Sequence, residues 1–306
     1  MATHRSAPSY TVESLIDAVH RRFIEADLYY GHGTDNAWDE AVALVLSQTG
    51  LPDDETVLNE TIQPAVVADI VDMAELRATR RLPLAYVIGS CQYRGVEFLV
   101  KPGVIVPRSP IGFLLQDGLA PWLRGPVSTV LDLCCGSGCL GILAALDFPQ
   151  SRVVMVDVDP RAVALARQNV VRHGLSERID VVQRDVLDQG LEPGRQSEQS
   201  FDLILCNPPY VNREDMAALP REYLAEPVRG LAAGDDGLDV MAPLMEILPT
   251  LLSEQGLFVG EVGNSAAALR ARFPEHPFIW PELPYGGEGV FLLEAEMLSS
   301  HTARLG

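Results

Sequence analysis

The chain has 306 residues, 47% hydrophobic and 21% charged, with three Trp and eight Tyr; this excludes a disordered or fibrous protein and leaves room for a catalytic domain plus a smaller one. A formal net charge of -19 disfavours direct binding of bare nucleic acid, which needs clustered Lys and Arg against phosphates, and favours a basic partner. Five cysteines without C-x-x-C pairing predict neither a disulfide framework nor a metal site, and Met1 to Tyr10 holds no apolar stretch, so a cytoplasmic protein without a membrane span is expected.

The first elements are helical. After Thr11, a candidate N-cap, Val12, Leu15, Ile16, Val19, Phe23 and Ile24 recur at helical spacing. The glycines around His32 break the pattern, and His32 reads as a solvated loop residue, with a ligand contact as the alternative. A second helix runs through Ala41, Val42, Leu44 and Val45, and a third lies around Val66 to Leu76, giving a helical domain over 1-82. From Leu84 to Val106 the Tyr, Val, Ile and Phe content, punctuated by Gly89 and Gly95, predicts a β-hairpin linker over 83-108.

Over 109-306 strand and helix patterns alternate. Strands are predicted at Thr129 to Leu133, Arg152 to Val156, Ile179 to Val182, Phe201 to Cys206, Leu257 to Val262 and Val290 to Leu293, with helices from Gly138 and over Pro160 to Arg172. The fold class is α/β, a mostly parallel sheet with helices on both faces. The polar stretch Val211 to Asp236 is expected as a lid.

The first of these strands, with Asp132 near its end, runs into the turn Cys134-Cys135-Gly136-Ser137-Gly138, so a ligand is expected at its carboxyl end. Gly136, Gly138 and Gly141 spell G-x-G-x-x-G, and Asp157 follows Gly136 by 21 residues, a spacing that also suits a dinucleotide. Asp132 favours S-adenosylmethionine instead, because a carboxylate there attracts an ammonium group and repels a pyrophosphate. Asp157 is then expected on the ribose hydroxyls, and Asp185, with Val186 beside it, at the adenine.

Phe201 to Cys206 ends in Asn207-Pro208-Pro209-Tyr210 over the same face. Pro208 and Pro209 have no N-H, so the Asn207 side-chain oxygen and the Pro208 carbonyl remain free to accept both N-H bonds of a planar amide or amine. Tyr210 is expected to stack on that group and face the sulfonium.

With this motif the chain resembles the N-P-P-Y amino-methyltransferases, which include DNA adenine methylases and protein glutamine methyltransferases. The order of cofactor turn before motif, the acidity and the helical amino-terminal domain look like the glutamine branch. That resemblance implies a Rossmann-like class I methyltransferase sheet, S-adenosylmethionine as cofactor and 1-82 as a substrate-recognition domain. Pro107-Arg108-Ser109-Pro110-Ile111 and Leu283 to Phe291 resemble the enzymes acting on the third protein of the large ribosomal subunit; release-factor methylation is the alternative, and methylation of a nucleic-acid adenine amino group a more remote one. The family usually carries glycine where Cys134 stands, and a cysteine in its place implies that the position adopts ordinary backbone angles, which makes Cys134 a weaker candidate for a backbone cofactor contact than Gly136 or Gly138. Arg108 is expected to be an exposed arginine or a contact at the domain junction or the substrate backbone, outside the catalytic set.

Overall fold

The computed structural model describes residues 10–187, 200–283 and 289–298. The chain forms two compact units, one of Met1–Gln92 with Pro220–Ala225, the other of Tyr93–Leu219 with Glu226–Gly306.

The first unit is helical. Helix α1 (Val12–Glu25) starts at Thr11, whose hydroxyl accepts the Ser14 N-H at 3.2 Å while the Ser14 hydroxyl accepts the Thr11 N-H at 2.9 Å, a reciprocal cap satisfying two otherwise orphaned donors. Helix α2 (Ala37–Thr49) is capped by Asn36 and stopped by Gly50 in the left-handed region, and α3 (Pro64–Arg80) opens on a proline whose missing N-H would be unsatisfied there anyway. Val12, Leu15, Ile16, Val19 and Phe23 of α1 pack against Leu44 and Val45 of α2 and Ile70 of α3. Ile24, expected on that face, is 60% exposed, because it lies a third of a turn away from it.

Beneath this core lies a buried ion network. The fully buried Arg77 guanidinium donates to Glu40 at 2.9 and 3.2 Å and to the Tyr29 carbonyl at 3.1 Å. Glu222 accepts the Tyr29 N-H at 3.1 Å and pairs with Arg81 at 2.8 Å. Burial pushes the Glu40 carboxyl up, against the pull of Arg77. Two expectations are corrected here. His32 is not a solvated loop residue: it is buried against Tyr223, ring centroids 4.4 Å apart. Val211 to Asp236 is not one lid, since Pro220–Ala225 belongs to the helical unit and Glu222 is fully buried there.

Leu84 opens a helix, not a strand. The residues of α4 (Leu84–Ile88) wind because Gly89, at φ 86°, closes them as a C-cap and donates its N-H to the Ala85 carbonyl at 2.9 Å. The hairpin proper is β1 (Ser90–Tyr93) and β2 (Val96–Leu99), turned by Arg94 and Gly95 with φ of 53° and 71°, the positive pair a two-residue hairpin turn requires.

After α5 (Ile111–Gln116), the second unit winds β3 (Thr129–Leu133), α6 (Cys139–Asp147), β4 (Arg152–Asp157), α7 (Pro160–Arg172), β5 (Ile179–Gln183) and β6 (Phe201–Cys206). It continues with α8 (Arg213–Ala218), α9 (Met241–Leu251), β7 (Leu252–Glu261), α10 (Ala266–Arg272) and β8 (Val290–Glu294). Among the described residues the sheet has six strands in the order β5-β4-β3-β6-β7-β8, all neighbours parallel except β7 with β8. Leu131, Leu133, Ile204, Phe258 and Phe291 of the sheet bury against Met241, Leu244 and Leu248 of α9, each side chain contributing about 1.5–3 kcal/mol. The strand order reverses between β3 and β6, and a sheet of this kind opens its binding crevice at the carboxyl ends there. Among the described residues no helix is long and apolar enough to cross a membrane.

Candidate active site

Strand register brings the candidate residues together. Leu133 pairs with Val156 on one side and Cys206 on the other, and Cys206 pairs with Gly260. One step further along each strand stand Cys134, Asp157, Asn207 and Glu261, a row at the carboxyl edge of four adjacent strands. They border a cleft of about 380 Å³ whose lining also includes Cys135, Gly136, Ser137, Asp185, Val186, Pro208, Pro209 and Tyr210.

The turn after β3 is wound tightly. Gly136 and Gly138 have φ of 57° and 81°, and Cys134 has φ of 58°. Cys134 therefore corrects the expectation of ordinary angles: it occupies a left-handed position that glycine takes without strain. The turn is pinned from β4, where Asp157 Oδ2 accepts the Gly136 N-H and Oδ1 accepts the Asp159 N-H, each at 2.9 Å, and the Val156 carbonyl accepts the Cys135 N-H at 3.0 Å. Burial pushes the Asp157 carboxyl up, with those N-H groups opposing.

Two residues expected at the cofactor do not reach the cleft. Asp132 is fully buried behind the turn, where Oδ2 accepts the Gly141 N-H at 2.9 Å and Oδ1 has no partner among the described residues. Side chains alternate faces along a strand, so Asp132 turns toward α6 and cannot meet a cofactor ammonium directly. Burial pushes its carboxyl up to about 7, the Gly141 N-H opposing and the charge of Asp157 reinforcing. Gly138 serves packing: a Cβ there would lie 3.1 Å from Ala166 and Met155.

The motif after β6 is held on several sides. Asn207 is half-buried, and its side chain makes no hydrogen bond to any described residue, so its amide is free to receive a ligand. The Tyr210 carbonyl accepts the Ser265 hydroxyl at 2.9 Å, and its own hydroxyl donates to Glu261 at 2.8 Å. Arg108, open in the sequence reading, is bidentate to the buried Glu226 at 2.7 and 2.8 Å, and Glu226 also accepts the Val106 N-H at 2.9 Å. Ser109 is buried and donates its hydroxyl to Glu261.

Sequence reasoning assigned no role to Ser109, Glu226 or Glu261, nor to Gly103 to Val106, which line the cleft although they were placed in the linker. A signal did exist for Glu261: it is the carboxylate closing an otherwise apolar strand end, the position where an α/β sheet carries its functional groups.

Several known proteins are similar to this chain. The family described as Methyltransferase small domain matches residues 117–237. The ribosomal protein uL3 glutamine methyltransferase of Bordetella pertussis is 41% identical over 294 residues, 95% of this chain and 97% of that protein. The chain belongs to the family of uL3 glutamine methyltransferases. The enzyme of that name from Burkholderia pseudomallei is 41% identical over 305 residues, 97% of this chain and 98% of the other. In three dimensions the methyltransferase also resembles the hMettl16 catalytic domain, solved in complex with MAT2A 3'UTR hairpin 1, with a TM-score of 0.52, 17% identity, and coverage of 82% of this chain and 90% of that one. At that identity the likeness is one of fold alone.

In this methyltransferase the cleft is lined by the carboxylates of Asp157, Asp159, Asp185 and Glu261 and by two arginines, of which Arg108 is matched by Glu226 and Arg229 acts on Asp159, so carboxylates predominate. Such a donor set fits a cationic nucleoside cofactor and would repel a pyrophosphate. The segment Pro284 to Glu288, part of the resemblance drawn from the sequence, lies outside the described residues.

Proposed function

We propose that this methyltransferase transfers the methyl group of S-adenosylmethionine to the side-chain amide nitrogen of a glutamine in ribosomal protein uL3. The observation that carries the chemistry is the free amide of Asn207, set one residue beyond the sheet edge on the cleft that Asp157 and Asp185 also line. The activity for which the two bacterial relatives are named supports uL3 as the substrate, and a charge of -19 suits a basic ribosomal protein met in the cytoplasm, without nucleic-acid binding.

S-adenosylmethionine, when bound, supplies an electrophilic methyl on a sulfonium sulfur. Asp157 would accept from the ribose hydroxyls on lone pairs its backbone contacts leave free, and Asp185 with Val186 would border the adenine. Cys134, Cys135, Gly136 and Ser137 would cradle the methionine end, while Asp132 and Gly138 act behind the wall by shaping the turn. A glutamine amide nitrogen is a poor nucleophile because its lone pair is delocalised into the carbonyl. Asn207 Oδ1 and the Pro208 carbonyl would each accept one amide N-H, turning the nitrogen lone pair toward the methyl, with Pro209 fixing the backbone and Tyr210 covering the amide plane. Orientation of this kind recovers about 7–11 kcal/mol of barrier, enough to carry a reaction without a general base. The proton made acidic by methylation then leaves to solvent.

The acceptor is tested by offering purified uL3 and a peptide release factor separately to the enzyme with methyl-labelled cofactor. Label on uL3 is expected; label on the release factor alone assigns the enzyme to that substrate instead, and label on neither removes both.

A further inference from the structure

Glu261 is a cleft carboxylate that the reaction as described leaves unused. It closes β7, is 5% exposed, and divides its two oxygens between two hydroxyls. Oε1 accepts from Tyr210 at 2.8 Å and Oε2 accepts from Ser109. Desolvation pushes its carboxyl up, and the Ser109 and Tyr210 hydroxyls, with the charge of Arg108, draw it back. A buried carboxylate is costly unless its lone pairs are met, so these hydroxyls are held as firmly as they hold it.

The surroundings of Tyr210 point the same way. Gly263, at φ 46°, lies flat against its ring, and a Cβ there would come within 2.6 Å of it. Gly237 leaves room for the Tyr210 carbonyl, which a Cβ would approach to 2.3 Å. The Ser109 carbonyl in turn accepts the hydroxyl of buried Tyr93. Ring face, main chain and phenol oxygen of Tyr210 are thus each constrained, the last by Glu261.

We propose that Glu261 is a positioning residue for methyl transfer: by taking the Tyr210 and Ser109 hydroxyls on separate oxygens, it sets the Tyr210 ring beside the acceptor groups of Asn207 and Pro208. This rests on reading Asn207 to Tyr210 as the clamp for the acceptor amide. The neutral isostere Glu261→Gln keeps the shape but offers one acceptor oxygen for two hydroxyls, and Tyr210→Phe removes the same link from the other side.

The test is a double-mutant cycle of Glu261→Gln and Tyr210→Phe on the full chain, reading kcat, cofactor Kd and the Cζ signal of Tyr210 in protein labelled at tyrosine. Each single variant should lower kcat between about tenfold and about a hundredfold, the scale on which small misplacements act, with cofactor Kd changed less than threefold. The double variant should be no worse than the poorer single one, because both cut one interaction. The Tyr210 Cζ signal, assigned by its disappearance in Tyr210→Phe, should move in Glu261→Gln without any cofactor present. Multiplicative losses in kcat, or an unmoved Cζ signal, overturn the proposal. Should Glu261→Gln fold poorly, Ser109→Ala, which strips only Oε2, must still shift the Cζ signal and lower kcat; no change in either overturns it as well. Asn207→Ala in the same assay separates the two claims: full activity there defeats the clamp, whereas an inactive Asn207→Ala beside additive Glu261 and Tyr210 variants defeats only the positioning role.

Discussion

Asp157 Oδ2 accepts the N-H of Gly136 at 2.9 Å, so a carboxylate on the cleft wall also fixes the glycine turn that shapes the cleft. Removing it takes away a ribose acceptor and loosens the turn at once. Asp157→Ala should weaken cofactor affinity by more than tenfold by isothermal titration, and Asp157→Asn, which retains an oxygen for Gly136, by less. Unchanged affinity in Asp157→Ala would remove Asp157 from the cofactor site.

Asn207 has the opposite signature. It contributes to orientation of the acceptor, so Asn207→Ala should lower kcat by about a hundredfold or more while cofactor affinity changes only a few-fold. Equal activity of variant and wild type in a single-turnover assay would sink the clamp.

The left-handed backbone of Cys134 makes a stability prediction independent of catalysis. At φ 58° a residue with a Cβ is strained, and glycine is not. Cys134→Gly should exceed Cys134→Ala in stability by about 1 kcal/mol, read from urea midpoints at equal slope, since both lose the thiol contact with Cys206. An alanine variant as stable as the glycine variant would contradict the strained turn.

Asp132 predicts a pH dependence. Its carboxyl is pushed up to about 7 in the folded chain by burial, with the Gly141 N-H opposing and Asp157 reinforcing. An unfolded aspartate titrates near 4. The folded state therefore holds this proton more tightly, and the stability it contributes is full below about pH 4 and is lost as pH rises through about 7. Asp132→Asn cannot ionise, so the thermal stability of this variant relative to wild type should rise between pH 5 and pH 7.5, by about 1.4 kcal/mol for each pH unit up to 7. A difference flat with pH would mean that Asp132 is ionised throughout.

Much of the fold was readable because local signals agreed with the tertiary context. Thr129 to Leu133 and Phe201 to Cys206 are mostly apolar runs that a doubly covered sheet buries apart from Thr129 and Asp202, and Pro160 to Arg172 has a capping aspartate and a proline at its start. Leu84 to Ile88 was misread because its apolar β-branched residues suit a strand, while Gly89, taken as strand punctuation, is a helix C-cap. In the site, the turn and motif were legible as short contiguous patterns. Asp132 was misplaced because strand alternation turns its side chain behind the turn, and Glu261 was missed because only the pairing of β7 with β6 brings it level with Asn207. Ser109 and Glu226 are likewise joined to the site by contacts across more than a hundred residues of chain.

Methylation of a glutamine side chain in uL3 is read without intermediary by fragment mass spectrometry of uL3 after incubation with the enzyme and labelled S-adenosylmethionine. One labelled methyl group is expected, located by fragment ions on the side chain of a single glutamine and absent when Asn207→Ala replaces the wild type. A labelled methyl on any other residue type, or an unmodified uL3 beside a labelled release factor, would contradict it.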